Sequence, residues 1–312
     1  MSITYTDPLS RAWGRMKKAL FKPFDISKWF VVGFTAFLAG LTECHHGNGP
    51  SNSHGGRGPD LEDVVYFPQI AWEWLMDHPG WFTLIVFGLL VLIALVILLT
   101  WLSSRGKFMF LDNVVHDRAQ VVKPWHDFKK LGNSLFLWRL CFGFICLLMF
   151  IMFLVLGFII FTQLYESYSP RQMTILAIVG MVLLALSMII VIGYISLFLN
   201  DFVIPIMYKN NMRTIPAWGC FLPLFSRYLL YFILYGIIVF VLYILVIIGV
   251  IIAGFLTCCI GFLLLIIPYI GSVITLPISY TFRAFSLEFL EQFGPDFTLF
   301  PQVGDTAVSS PA

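Results

Sequence analysis

Long apolar runs set the plan of the chain. Four are plain, at residues 81–102, 134–163, 173–199 and 228–255, and the one ionisable residue among them is Arg139, near the start of its run. A hydrocarbon core about 30 Å thick needs about 20 helical residues, and each run supplies them. A fifth run, 260–280, carries Pro268 and Pro277. Membrane helices tolerate proline where neighbours satisfy the freed carbonyls. The turn before it, Leu256–Gly261, is short, so residues 228–280 read as a tight helical hairpin. A sixth run, 29–41, is long enough for a thin crossing only when counted from Phe24. Its alternative is the apolar core of a signal peptide, but 28 residues precede it and no small-x-small cleavage site follows. The pattern predicts an all-α integral membrane protein with about six transmembrane helices.

Composition agrees. The chain is 59% hydrophobic and 12% charged, where a soluble domain has about 45–50% and about 25%. Such a chain cannot cover its own surface with polar groups, so lipid must solvate much of it. Trp29, Trp81, Trp101 and Trp138 fall at the ends of apolar runs, where aromatic rings sit at headgroup depth.

The sign of the loops fixes an orientation. Of the 19 lysines and arginines, only Arg57 and Arg171 fall in the loops at 42–80 and 164–172. The other 17 cluster at 1–28, 103–133 and 200–227, or sit beside them at Arg139 and Arg283. The positive-inside rule then places both termini in the cytoplasm.

The segments that follow the even-numbered runs resemble one another. Phe110-Leu111-Asp112, Leu199-Asn200-Asp201 and Ser286-Leu287-Glu288 each place an acid third. Each reaches a proline followed closely by an aromatic: Pro124-Trp125, Pro216-Ala217-Trp218 and Pro295-Asp296-Phe297. This predicts three tandem two-helix repeats with cytoplasmic amphipathic segments, related by an axis along the membrane normal. The chain then divides into a basic amphipathic helix (1–28), a first pair (29–102, outer loop 42–80), a second (103–199), a third (200–280), and a cytoplasmic helix and tail (281–312). The competing reading is that any helix leaving a membrane shows apolar residues, then an acid, then a proline.

Three sets of residues are candidates for chemistry. Asp112, Asp201 and Glu288 would gather under quasi-threefold symmetry as a cation-binding or structural acid ring. The plainer expectation pairs each with a base such as Arg105, Lys107, Lys209 or Arg283. Cys44, His45, His46 and His54 have the donor chemistry of a zinc or copper site, but their Gly/Ser/Asn-rich setting reads as a linker. A Cys44 bridge to Cys258 or Cys259 stays open. Arg11, Arg15, Lys18 and Lys22 face away from Leu9, Trp13, Met16 and Leu20, which predicts a helix lying on an anionic leaflet. His116-Asp117 and His126-Asp127 are sequence neighbours, which point about 100° apart on a helix and need not touch.

No Asp, Glu, Lys or His lies in the middle of a run, where ion-coupled transporters and intramembrane proteases generally need one. No phosphate-binding loop or dinucleotide fingerprint is present. The expectation is a non-enzymatic protein without cofactor, binding membrane lipids or a partner membrane protein and no nucleic acid. A transporter or channel for an apolar or amphipathic solute is the runner-up, and an outer-face metal-dependent enzyme the third reading.

The stretch Ser104-Arg105-Gly106-Lys107-Phe108-Met109-Phe110-Leu111-Asp112-Asn113-Val114, with Pro124-Trp125, resembles a bacterial family of uncharacterised polytopic membrane proteins. Ser286-Leu287-Glu288-Phe289-Leu290 with Gly294-Pro295 fits it too. That family is similar to the membrane domain attached to some glycerophosphodiester phosphodiesterases. The resemblance covers roughly residues 5–300, implies a lipid-adjacent role and transfers no functional residue; a phosphodiesterase domain is lacking.

Overall fold

The four plain apolar runs become helix, and several helices run well beyond the run that predicts them. The computed structural model describes residues 3–42, 69, 72–166, 171–257, 261, 264–265 and 267–300, and no strand occurs among them. The elements are α1 (Thr6–Phe21), α2 (Ile26–Gly40), α3 (Pro79–His116), α4 (Val122–Asp127), α5 (Lys129–Glu166) and α6 (Arg171–Phe198). A π-helical turn (Leu199–Val203) leads into α7 (Ile204–Asn210). Then come α8 (Thr214–Arg227), α9 (Leu229–Leu256), α10 (Pro268–Ile274), α11 (Leu276–Glu291) and a 3₁₀ turn at Pro295–Phe297.

Among the described residues four helical stretches are long and apolar enough to cross a membrane: Pro79–His116, Lys129–Leu164, Gln172–Asn210 and Leu229–Leu256. The 38 residues of α3 extend about 57 Å at 1.5 Å per residue, nearly twice a hydrocarbon core. The other two runs fare differently. The 15 residues of α2 reach about 22 Å, short of a full crossing. The run at 260–280 is broken at Thr275, with Pro268 and Pro277 in the first turns of α10 and α11. A proline there removes an N–H that has no helical partner anyway.

The chain divides into two units. The first comprises Met1–Thr42, Trp101–Arg139 and Val191–Ala312. Its centre is the C-terminal third of α3, where every residue from Ser103 to Val115 is buried. Around it lie fully buried rings. Phe202 sits 5.0 Å from both Phe232 and Tyr235 and 5.5 Å from Phe221, and Tyr235 stacks on Phe289 at 4.6 Å. Such pairs add about 0.5–1.5 kcal/mol beyond area burial. Glycine permits close packing between helices: a Cβ on Gly106 would meet the Leu38 backbone of α2 at 2.6 Å, and one on Gly33 would meet the Val273 side chain of α10 at 2.6 Å.

α1 docks on α11 and buries Pro8, Ala12, Met16, Ala19 and Leu20. The backbone of Thr4 exchanges two 2.9 Å hydrogen bonds with the Gln292 amide. At its other end, Lys28 Nζ donates to Ala19 O and Trp29 Nε1 to Leu20 O, both at 2.8 Å. These side chains satisfy last-turn carbonyls that lack intrahelical donors. Asp117 (φ 52°) follows α3, Asn211 (φ 48°) follows α7, and Gly294 (φ 143°) stands just past α11. Left-handed residues end helices in this way.

The second unit comprises Glu43–Thr100 and Leu140–Ile190. Its apolar helices bury none of their most hydrophobic stretches. In the middle of α5 the half-covered positions are Phe142, Cys146, Phe153, Gly157 and Ile160, followed by Phe161, Thr162 and Leu164 near its end. In α6 they are Thr174, Ala177, Met181, Ala185 and Met188, again at helical spacing. Gly157 lies against Met181. Most of the other positions in these stretches are exposed.

Candidate functional site

The polar groups of the first unit sort into clusters, and each predicted acid has partners on other helices. Asp112, near the end of α3, accepts a 2.6 Å hydrogen bond from the Tyr208 hydroxyl of α7. Its Oδ1 also lies 3.1 Å from His116 Nδ1 and 3.7 Å from Arg118. Asp201, in the π-helical turn, accepts from Tyr235 at 3.0 Å. Glu288, fully buried on α11, meets Arg15 at 2.5 Å and Arg11 at 3.2 Å. Two of the bases named from sequence also have contacts of their own. Arg105 lies over the rings of Trp101 and Trp125 and donates to Asn133, and Lys209 donates to the Pro295 carbonyl.

Asn200 joins two cations that sequence reading left apart. Lys107, 1% exposed, donates to Asn200 Oδ1, and Arg283 Nη1 donates to Asn200 O at 2.7 Å. The backbone explains the second bond. In the π-helical turn Ile204 N–H bonds back to Leu199 O. Asn200 O would therefore await the N–H of residue 205, which is Pro205 and has none. Arg283 supplies the missing donor. A buried carbonyl left unmade would cost about 1–3 kcal/mol.

Asn113 organises the end of α3. Its Oδ1 accepts from Gln120 N at 3.0 Å, and its Nδ2 donates to Gln120 O at 3.1 Å and Thr35 at 3.3 Å. Asp117 turns to Lys28, at 2.9 Å, rather than to its neighbour His116. Arg139 donates to Ser103 and Thr42, and Ser103 passes a 2.8 Å hydrogen bond to Ala39 O.

Of the four basic residues expected at a membrane surface, Arg11 and Arg15 reach Glu288 while remaining 52% and 42% exposed. Lys18 and Lys22 are exposed. Glu291, one turn on from Glu288, has its carboxyl pushed above the ordinary range, first by burial and then by the Glu288 charge; Arg11, Arg15 and Lys209 oppose the shift. Cys44, His45, His46 and His54, with Cys258 and Cys259, lie outside the described residues. Among the described residues no group of three metal-ligating side chains converges.

A groove that sequence reading missed runs along α1. Thr6, Leu9, Ser10 and Trp13 form one side, and Leu242 of α9 with Ile278, Thr281 and Phe282 of α11 form the other. Its volume is about 490 Å³. Only the α1 half had a signal, the Leu9/Trp13 spacing; the other wall is assembled by helices distant in sequence.

The described residues define an all-helical protein with four helices long and apolar enough to cross a membrane, whose polar clusters are internally paired. The chain belongs to a family of unknown function, DUF7544, whose model matches residues 3–279. No curated protein and no solved structure matches it.

Proposed function

We propose that the protein is a non-enzymatic, multi-pass component of a bacterial cytoplasmic membrane that binds lipid, with both termini in the cytoplasm. One observation carries the reading: the most apolar stretches of α3, α5 and α6 have no residue buried by the protein itself. Their backbone groups are satisfied within each helix, so an apolar solvent can cover them without penalty. The 17-to-2 division of basic residues supports the orientation. The left-handed residues after α3, α7 and α11 support three tandem units, with α2 and the broken α10–α11 segment completing six membrane segments. The resemblance to the membrane domain of some glycerophosphodiester phosphodiesterases agrees with a lipid-adjacent role. The acids at 112, 201 and 288 lie among bases and phenols, which favours a structural role over an ion-conducting ring.

The test is native mass spectrometry on protein extracted from its own membrane in mild detergent. A defined lipid retained in stoichiometric amount is expected. A stoichiometric second protein with no retained lipid would replace this reading with a scaffold or subunit role.

A further inference from the structure

We infer that the groove between α1 and the α9–α11 pair holds an acyl chain of an anionic phospholipid whose headgroup lies at the Trp13–Lys17 end of α1. This names the ligand class for the lipid-binding reading and rests on it.

The groove has the size and lining of a ligand site: about 490 Å³, within the roughly 300–1,000 Å³ usual for such clefts. Leu9, Trp13, Leu242, Ile278 and Phe282 supply an apolar lining. Two features select the occupant. Leu242 belongs to the apolar run of α9 and Ile278 to the apolar run at 260–280, so the inner wall is built from membrane-segment residues. A guest resident in hydrocarbon meets that wall, whereas a soluble metabolite would first have to leave water. α1, which forms the outer wall, is apolar toward the groove and carries charge beside it. α1 carries Lys17 and Lys18, both exposed, and Lys17 Nζ sits 5.3 Å from the centre of the Trp13 ring. Arg11 and Arg15 are engaged with Glu288. An ammonium held over a groove-lining indole places positive charge at the edge of an apolar slot, which matches a chain attached to an anionic head. Asp7, beside Thr6 and accepting a 2.9 Å hydrogen bond from Thr4, puts a negative charge at the other end of the α1 wall. That polarity sets the direction of the lipid.

The test uses the full-length protein in phosphatidylcholine vesicles. A photoactivatable phosphatidylglycerol carries a diazirine near the end of one acyl chain, and phosphatidylcholine with the same chain is used in parallel. Cross-linked peptides are mapped by mass spectrometry. The peptides containing Trp13, Leu242 and Ile278 are expected to be labelled several-fold more by the phosphatidylglycerol probe than by its zwitterionic counterpart. Leu242→Trp fills the slot and abolishes this labelling, while labelling of the bare α5 helix is unchanged. Ile278→Trp does the same from α11, and the two variants together guard against one that misfolds. Lys17→Gln lowers phosphatidylglycerol labelling to the phosphatidylcholine level. Labelling of the groove no greater than that of α5, insensitivity to both tryptophan variants, or equal labelling by the two headgroups in the unaltered protein would overturn the inference. So would cross-links joining the groove to a second copy of the chain. Failure in the groove with lipid still retained in native spectra removes the site alone; absence of retained lipid removes the lipid-binding reading as well.

Discussion

The two units solve the same problem, how to place an apolar helix, in opposite ways. The first packs aromatic side chains to full burial and then encloses Lys107, Asn113 and Glu288 among them. The second leaves Leu92, Leu147 and Met152 more than half exposed and encloses almost nothing. Burying a charge is tolerable only with a partner, so the first unit is held in one arrangement by specific pairs. The second needs only a solvent of low polarity. Side-chain specificity is therefore concentrated in the first unit, and the environment in the second.

This contrast can be broken by substitution, and the largest effect belongs to the aromatic centre. Phe289→Ala should destabilise the detergent-solubilised protein by about 3–5 kcal/mol, read as the midpoint of thermal unfolding. Leu147→Ala, in the second unit, should stay within about 0.5 kcal/mol. Equal losses would mean that the second unit packs as tightly as the first. Next comes the buried carboxylate. Replacing both Arg11 and Arg15 by Ala leaves Glu288 charged and enclosed, at a cost of about 3 kcal/mol, toward the lower end for a broken buried pair because solvent reaches the arginines. Glu288→Gln should cost less, since the two arginines return to water. The reverse order would show that α1 is held by packing alone.

A smaller effect attaches to Arg283→Met, which withdraws the donor from Asn200 O and should cost about 1–3 kcal/mol. Pairing it with Pro205→Ala restores an N–H within reach of that carbonyl and should recover part of the loss. A strictly additive pair in a double-mutant cycle would refute the account of the π-helical turn. The smallest effect is a pH dependence at Glu291. Its folded-state pKa is raised, so its favourable contribution is full below the unfolded carboxylate pKa, near 4.3. That contribution is lost as pH rises through the folded value. Glu291→Gln should therefore raise the unfolding midpoint slightly at neutral pH and leave it unchanged in acid. A larger gain in acid than at neutral pH would contradict the burial of that carboxyl.

The four long crossings were legible because about twenty successive apolar residues carry their own explanation. Their true lengths were not. Ser103 to Lys107 reads as the start of a polar loop, yet α3 continues through it to His116 as buried helix. Lys107 can be buried because Asn200, 93 positions away, receives it, and no local pattern encodes that pairing. The prolines at 268 and 277 were visible, and their consequence, two helices joined at Thr275, follows from their first-turn positions. The acids at 112, 201 and 288 were picked out by repetition, but their partners Tyr208, Tyr235, Arg11 and Arg15 lie on other elements. The groove was half visible for the same reason: α1 shows its apolar spacing, whereas Leu242 and Ile278 look like any other residue of an apolar run.

The contrast between the units meets its most direct test in site-directed spin labelling along residues 144–156 of α5, in the protein reconstituted into lipid bilayers. Accessibility to oxygen, which partitions into hydrocarbon, is measured at each position. The account predicts high accessibility around the helix, with one narrow protected stripe at Cys146 and Phe153. A second protected stripe on the opposite face would show that another protein, and not lipid, covers this unit, and would contradict the claim.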